Sequence, residues 1–239
     1  MAEKKEMEIG NPVRKEIEKL IATGNLRRLH EKAGELHGHF CNYMTYGVIA
    51  GYIAVRELGI KSTGMEEVIA IVETNNCFSD GVQMVTGCSF GNNALIYRDF
   101  GKSAVTVAKR DGTAIRIALD PDFEDSIGEE YPEAYGLWDK IVTRREEATP
   151  EEHERMMRLF HEMSINELSK SADEMFRIKR MKINLPEYAP IFASVRCSIC
   201  GENVMETRAR VIEGNPVCIN CAKENYYVLD GRGMSIDSS

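Results

Sequence analysis

Apolar residues recur at helical spacing through the first sixty positions of the chain. Pro12 is a suitable first residue for a helix over 12–22, and a second short helix is predicted from Asn25. Residues 41–58 then form the most apolar stretch, with small residues such as Gly47 where another backbone can approach closely. The pattern predicts two short helices followed by a buried central helix.

Runs of continuous or alternating apolar residues predict strands in the middle of the chain. The candidates are 65–74, 94–99, 103–110 and 113–119. The first is apolar throughout its centre, which is typical of a strand buried on both faces. The last two flank Asp111-Gly112, a pair favoured in type I′ hairpin turns. The predicted fold class is therefore α+β, with helices packed on a mainly antiparallel sheet.

Three domains are predicted from the remainder of the pattern. Residues 120–148 are acidic and are predicted to be irregular, with a helix anchored by Trp138 as the one candidate element. Thr149 to Glu152 begin a helix that runs to about 169, and the pattern of 176–184 predicts a strand. Pro186 and Pro190 mark a linker. The predicted domains are an α+β core with a helical extension over 1–190, a four-cysteine finger over 191–226 and a disordered tail over 227–239.

Composition narrows the classes of function. Apolar residues make up 43% of the 239 positions and charged residues 28%, a soluble globular balance. Met1 to Gly10 lacks an apolar secretory segment, and the longest apolar stretch is too polar for a bilayer. Seven cysteines without a secretory signal indicate a reducing compartment, so a cytoplasmic location is expected. The net charge of −8 disfavours nucleic acid and anionic membranes as partners.

Four cysteines near the C-terminus have the spacing of a zinc finger. Cys197-x-x-Cys200 and Cys218-x-x-Cys221 are separated by 17 residues, and two such pairs supply four thiolates for a structural zinc ion. Unpaired thiols or disulfides are the alternatives, and a reducing compartment disfavours disulfides. The residues after Cys218 look helical, which predicts a treble-clef-like module whose folding free energy comes mainly from the metal.

A second group of metal-type side chains lies at His37-Gly38-His39-Phe40-Cys41. In an extended run all three side chains share one face, whereas in a helix only His37 and Cys41 do. Imidazole and thiolate together suit zinc or another borderline metal, and a thiol at a helix start is also a candidate nucleophile. The alternative is that Cys41 packs as a small apolar residue while the imidazoles make ordinary hydrogen bonds.

Further side chains are candidates for the same site. Cys77 follows the buried strand and is a candidate fourth ligand or a redox partner of Cys41, with a buried free cysteine as the alternative. Cys88 lies in a glycine-bearing loop and is a weaker candidate. A short helix with Ser79 as N-cap is predicted between the two cysteines. Asp80 and Lys102 are available polar groups of the kind that are usually solvated.

These motifs resemble a known family. His37-Gly38-His39-x-Cys41 leading into a helix with small residues resembles the start of the FmdE family, named after a subunit of formylmethanofuran dehydrogenase. Later features of the family follow in the same order: Val68 to Thr74, Cys77, Asp80 with Gln83, Thr86-Gly87-Cys88-Ser89 and Gly101-Lys102. The four-cysteine finger is similar to a zinc module that some members carry. Asn42 and Asn92 depart from the pattern, standing where proline and lysine are usual.

The resemblance implies an α+β core, a metal site in a cleft at the His-x-His-x-Cys run, a homodimer and an association with one-carbon metabolism on a molybdenum or tungsten enzyme. Three functions follow as hypotheses. The first is a metal-binding accessory protein with a structural zinc ion and a second metal ion at His37, His39, Cys41 and Cys77. The second is a stand-alone enzyme that uses Cys41 or an open metal position. The third, a zinc-finger regulator bound to nucleic acid, is disfavoured by the charge.

Overall fold

The structure, a computed structural model, describes residues 12–238. The chain divides into two compact units, Met1–Leu185 and Pro186–Ser239. The sequence predicted a boundary at residue 190, in the same proline-marked segment. Among the described residues, no helix is both long enough and apolar enough to cross a membrane.

The first unit is rich in helices. A 3₁₀ turn, Pro12–Arg14, precedes α1 (Lys15–Thr23), α2 (Leu26–His37), α3 (Asn42–Leu58), α4 (Cys77–Thr86), α5 (Pro121–Glu130), α6 (Pro132–Trp138), a π-helical turn (Asp139–Thr143), α7 (Pro150–Glu167) and α8 (Ala172–Met175). The expectation that 120–148 is mostly irregular is wrong, although the helix expected at Trp138 is present as α6. Asp120 accepts a hydrogen bond from the backbone of Asp122 as N-cap of α5, with Pro121 as first residue, and Pro132 likewise opens α6.

A five-stranded sheet forms the other layer of the first unit. Its strands are β1 (Val68–Val72), β2 (Leu95–Tyr97), β3 (Ala104–Lys109), β4 (Thr113–Leu119) and β5 (Phe176–Lys182). They lie in the order β2-β1-β3-β4-β5. Only the β1–β2 pair is parallel, and the other pairs are antiparallel. All five residues of β1 are buried, so the α+β class and the doubly buried strand are confirmed.

The hairpin between β3 and β4 differs from the predicted type. A type I′ turn requires positive φ at both central residues, whereas of Asp111 and Gly112 only the glycine has it, at 82°. The Gly112 N–H donates to the carbonyl of Lys109 at 2.8 Å. Three residues therefore connect the strands, with the glycine in the left-handed region at the last position.

The central helix packs closely on α4 through glycine. A Cβ atom added at Gly47 would lie 1.9 Å from the carbonyl oxygen of Phe78, and one added at Gly81 would lie 2.2 Å from that of Met44. The two backbones therefore touch, as the small residues of α3 predict. This contact places the start of α4 beside the start of α3.

The predicted N-caps of two helices, α7 and α4, can be compared with the structure. The capping box before α7 is confirmed, since Thr149 Oγ1 accepts from the Glu152 N–H and the Glu152 carboxylate accepts from the Thr149 N–H. Ser79 does not cap α4 as predicted. Asn76 does so, accepting from the Phe78 N–H at 3.0 Å, and the Ser79 hydroxyl donates to the carbonyl of Thr74 at 2.6 Å. The helix consequently begins at Cys77.

The second unit consists of three two-stranded antiparallel sheets. The strands are β6 (Ser194–Arg196), β7 (Asn203–Met205), β8 (Ala209–Ile212), β9 (Asn215–Cys218), β10 (Tyr226–Asp230) and β11 (Gly233–Asp237). Residues 219–223 form turns where the sequence predicted a helix. The predicted disordered tail from 227 is instead part of a hairpin. Apolar and aromatic side chains fill most of β10 and alternate along β11, and the Asp230 carboxylate accepts from the Arg232 N–H at the turn.

Candidate metal centre

The His37–Cys41 run is neither a strand nor a helix. His37 is the last residue of α2, and Gly38 ends that helix in the left-handed region with φ 88°. Cys41 is extended and is the N-cap residue of α3. The sequence suggested a regular strand or a regular helix, and the glycine produces a sharp bend between two helices instead.

This bend gathers four metal-type side chains. The ligand atoms of His37, His39, Cys41 and Cys77 all lie within 4.8 Å of one another. Three come from the connection between α2 and α3, and Cys77 comes from the first position of α4, next to α3 in the glycine contact described above. Cys41 is buried and the other three side chains are partly buried.

Asp80 orients one of the two imidazoles. Its Oδ2 lies 2.7 Å from His37 Nδ1, and its Oδ1 accepts from Gln83 Nε2 at 2.9 Å. The opposite nitrogen, His37 Nε2, lies 4.0 Å from Cys41 Sγ. A carboxylate on one imidazole nitrogen, with the other nitrogen among the ligands, is the usual outer-shell arrangement of a metal-binding histidine. From the sequence Asp80 was expected to be solvated, although its spacing of three from Cys77 places both on one helix face.

The two thiols are electrostatically unequal. Cys41 and Cys77 share a hydrogen bond that lowers the pKa of Cys77 and raises the pKa of Cys41, while burial raises both values. Each thiol also stands at the start of a helix, where the helix dipole favours a negative charge. One thiolate therefore forms readily. A divalent metal ion stabilises both, so the donor set of two imidazoles and two thiolates fits a borderline metal such as zinc.

Aromatic packing holds the run in place. The ring of Phe40 is stacked between His30 and His161, with centroid distances of 4.8 and 4.4 Å. Gly34 admits this ring, since a Cβ there would lie 2.4 Å from it. Burial lowers the pKa of His30 to about 4, so the stack contains a neutral imidazole near neutral pH. The packing fixes the backbone between His39 and Cys41.

The two departures from the family pattern have structural roles. Asn42 is buried, and its Nδ2 donates to the hydroxyl of Tyr135 at 2.9 Å. Asn92 holds the loop after α4, accepting from the Ser89 N–H at 2.9 Å and donating to the carbonyl of Gly87 at 2.8 Å. Asn42 thus ties the start of α3 to α6, directly beside Cys41.

Two weaker candidates lie outside the cluster. The Cys88 thiol donates to the carbonyl of Val68 at 3.5 Å, and burial raises its pKa to about 11. It is an inert core thiol in this position. Lys102 lines a different cleft of the first unit.

A cavity of about 330 Å³ opens beside the cluster. It is lined by His37, Val72, Thr74, Asn75, Asn76, Cys77, Ser79, Asp80, Gln83, Phe90, Leu95 and Tyr97. His37, Cys77 and Asp80 thus face a space that a small molecule can enter. One carboxylate and no lysine or arginine are present in this lining.

The second unit contains the other cluster. The thiol sulfurs of Cys197, Cys200, Cys218 and Cys221 lie within 4.8 Å of one another. Cys197 Sγ accepts from the Cys218 N–H at 3.3 Å, and Cys218 Sγ accepts from the Cys221 N–H at 3.4 Å. Backbone hydrogen bonds of this kind, chiefly from Cys200, lower the pKa of Cys197 to about 6. Four convergent thiols, one ionised near neutral pH, fit a structural zinc ion.

Fold and clusters together define an α+β protein with a histidine–cysteine centre and a separate four-cysteine finger. The profile of the family described as "FmdE, Molybdenum formylmethanofuran dehydrogenase operon" matches residues 36–177, more than half of the chain. The protein belongs to this family. Residues 190–227 match the prokaryotic dksA/traR C4-type zinc finger, which together with the cysteine cluster supports a structural zinc.

Two known proteins extend the comparison. The chain is 36% identical over 231 residues to a protein of Archaeoglobus fulgidus named "Probable S-adenosyl-L-methionine-binding protein". The match covers 95% of this chain and 61% of that protein, so the chain spans about three fifths of the relative's length. The crystal structure of an FmdE-like protein from Syntrophus aciditrophicus, named after the tungsten formylmethanofuran dehydrogenase, is 22% identical, with a TM-score of 0.54 over 82% of this chain and 91% of that one. This likeness concerns the fold.

Proposed function

We propose that the first unit binds one transition-metal ion, zinc in the first instance, through His37, His39, Cys41 and Cys77. The convergence of these four donors within 4.8 Å carries the proposal. The Asp80 carboxylate supports it by leaving His37 Nε2 as the nitrogen nearest the thiols. Two imidazoles and two thiolates satisfy a tetrahedral ion.

The biological role that we propose is that of an accessory protein for a molybdenum or tungsten enzyme of one-carbon metabolism. Membership of the family described by the formylmethanofuran dehydrogenase operon supports this role. We also propose that the chain forms a homodimer. Light scattering on the purified protein tests the dimer, and copurification of a molybdenum or tungsten enzyme with the tagged chain from its native host tests the association.

Metal content is the direct test of the centre. The full chain, purified without oxygen, is expected to contain two metal ions by elemental analysis, one per cluster. Replacing Cys41 by Ser is expected to leave one ion, and replacing Cys218 by Ser is expected to leave the other. Cys88→Ser is the matched control, because the Cys88 thiol lies outside both clusters, and this variant is expected to keep two ions.

The stoichiometry separates the outcomes. One ion per chain that persists in Cys41→Ser and disappears in Cys218→Ser contradicts the first-unit centre. Two ions in both the wild type and the Cys41→Ser, Cys77→Ser double variant contradict it equally. Circular dichroism of each variant establishes that the fold is retained.

The cavity beside the cluster favours a second candidate, a stand-alone enzyme at this centre. A ligand in the cavity would lie next to His37 and Cys77, and displacement of one protein ligand would open a metal position. S-adenosyl-L-methionine, the compound in the relative's name, is the first to test. Its sulfonium is cationic, and Asp80 is the one charged residue of the lining besides the ligands.

Isothermal titration calorimetry of the full chain with S-adenosyl-L-methionine tests the second candidate function. Saturable binding that is weakened at least tenfold in Gln83→Leu supports a ligand in the cavity, since Gln83 lines it without being a metal ligand. Binding that is unchanged in this variant, or no binding at all, argues against this compound as the cavity's ligand.

A further inference from the structure

The charged side chains that line a second cleft of the first unit are mostly cationic. It has a volume of about 450 Å³ and lies between the loop after β2, the end of β4 and the start of α5. Its lining is Gly101, Lys102, Ser103, Arg116, Ala118, Leu119, Pro121, Glu124 and Arg177. Three cations and one carboxylate thus face one concavity in a chain whose net charge is −8.

Arg116 is held in a fixed orientation. Its Nε and Nη2 donate to the two carboxylate oxygens of Glu73, each at 2.7 Å. Glu73 is 6% exposed and lies outside the lining of the cleft. This bidentate pair fixes the plane of the guanidinium and leaves Nη1 available. A fixed guanidinium recognises a planar or tetrahedral anion with little loss of side-chain entropy.

The other two cations differ in their partners. Arg177 Nε donates to Asp120 Oδ2 at 2.7 Å, which leaves its terminal nitrogens available. The ammonium of Lys102 forms no ion pair among residues 12–238. Its backbone N–H donates to the carbonyl of Glu73 at 2.9 Å, so the loop that presents Lys102 is tied to the end of β1.

Glu124 is the one negatively charged side chain in the lining of this cleft, and one of its oxygens already accepts a hydrogen bond. Its Oε1 accepts from the hydroxyl of Tyr43 at 2.5 Å. Burial and this hydrogen bond raise the pKa of Tyr43, so the phenol remains a donor. Tyr43 is two residues beyond Cys41 in the first turn of α3. The Tyr43–Glu124 contact therefore links the acidic wall of the cleft to the element that carries a thiol of the metal centre.

We infer that this cleft binds the anionic group, phosphate or carboxylate, of a small molecule. The Lys102 ammonium attracts such a group, and Arg116 Nη1, the terminal nitrogens of Arg177 and the Ser103 hydroxyl donate hydrogen bonds to its oxygens. The volume exceeds that of a single oxyanion, so the remainder of the molecule also lies in the cleft. The inference does not depend on a metal at the histidine–cysteine centre.

Equilibrium dialysis of the full chain against radiolabelled inorganic phosphate at low salt tests the inference. Lys102→Gln is expected to weaken phosphate binding at least fivefold, and Arg177→Gln, on an exposed side chain, is expected to weaken it less. Glu124→Gln retains an acceptor for Tyr43 and removes the opposing charge, so it is expected to tighten binding about threefold. Lys15→Gln, an exposed lysine of α1, is the matched control and is expected to change nothing.

The direction of each change in phosphate affinity decides whether the inference holds. Competition by acetate identifies a carboxylate site, and its absence identifies a phosphate site; both agree with the inference. The inference is overturned if the wild type binds neither anion, or if Lys102→Gln and Lys15→Gln weaken binding equally, since the interaction would then be with the general surface. Metal content is measured in parallel and is expected to be the same in all variants, which separates this test from that of the metal centre.

Discussion

The Asp80 carboxylate lies 2.7 Å from His37 Nδ1 and fixes an imidazole whose other nitrogen is 4.0 Å from Cys41 Sγ. We predict that Asp80→Asn lowers the metal affinity of the centre about 10- to 100-fold without unfolding the protein, because an amide orients the imidazole but does not raise its basicity. Competition with a chromophoric chelator measures this affinity.

The control for this change is Asp125→Asn, an exposed carboxylate on α5, which is expected to leave the affinity unchanged. Equal affinities in Asp80→Asn and the wild type would show that Asp80 does not support a metal ligand. Loss of the ion from the four-cysteine cluster in the same variant would show a general defect instead.

The contact of α3 with α4 gives a stability prediction. Gly47→Ala places a Cβ 1.9 Å from a backbone carbonyl that no side-chain rotation can move. The helices must separate, so the free energy of unfolding is expected to fall by about 3 kcal/mol. Urea unfolding is followed by the fluorescence of Trp138, the single tryptophan of the chain and a residue of the first unit.

Gly128→Ala is the matched control for this prediction. Gly128 lies in α5, and a Cβ there meets no atom within 4 Å. Since alanine is the better helix former, this change is expected to raise the free energy of unfolding by about 0.5–1 kcal/mol. A Gly47→Ala variant as stable as Gly128→Ala would mean that the two helices do not touch as described.

Much of the fold follows from local sequence patterns. The wholly apolar 68–72 predicted a doubly buried strand, and Thr149 with Glu152 predicted the start of α7, because each depends on residues close in the chain. Apart from the helix expected at Trp138, the prediction that the acidic stretch 120–148 is irregular was wrong. The helices of this stretch are defined by their first residues, after Asp120 and at Pro132, more than by a strong apolar period.

The site was harder to derive because its geometry depends on contacts distant in the sequence. Spacing placed three donors in one short run, whereas Cys77 joins them only through the packing of α4 on α3. The role of Asp80 follows from that packing, since His37 is 43 positions away. The pairing of Arg116 with Glu73 likewise requires the registers of β1, β3 and β4, which no local pattern contains.

A buried carboxylate gives a prediction of pH dependence. Glu167 is 0% exposed, with Lys170 Nζ 2.9 Å from its Oε1, and burial raises its pKa above the ordinary value of 4.5. A carboxyl group with a raised pKa binds its proton more tightly in the folded state, so its ionisation destabilises the fold as pH rises through that pKa. Glu167→Gln is therefore expected to increase resistance to urea at pH 8.

The advantage of Glu167→Gln is expected to disappear below pH 4, where the carboxyl group is protonated in both the folded and unfolded states. Trp138 fluorescence again reports the transition. Glu129→Gln, at an exposed position of α5, serves as control and is expected to change stability little at either pH. A Glu167→Gln variant that is less stable than the wild type at pH 8 would show that the Lys170 ion pair outweighs burial.

The four-cysteine cluster predicts that the second unit unfolds when its metal is removed. This unit has three two-stranded sheets and few buried apolar side chains, such as that of Val217. Paired strands of this size are marginal without further support, and four thiols left without a metal repel one another when ionised. A strong zinc chelator is therefore expected to abolish amide hydrogen-exchange protection over 194–218.

Two internal comparisons make this exchange experiment specific to the four-cysteine cluster. The strands β3 and β4 of the first unit are expected to keep their protection, because their core contains no ligand of this cluster. Cys77→Ser provides the complementary case, since it disables the other centre and is expected to leave the protection of 194–218 intact until the chelator is added. Protection that survives complete removal of the metal would mean that the second unit is stabilised by its side-chain packing alone.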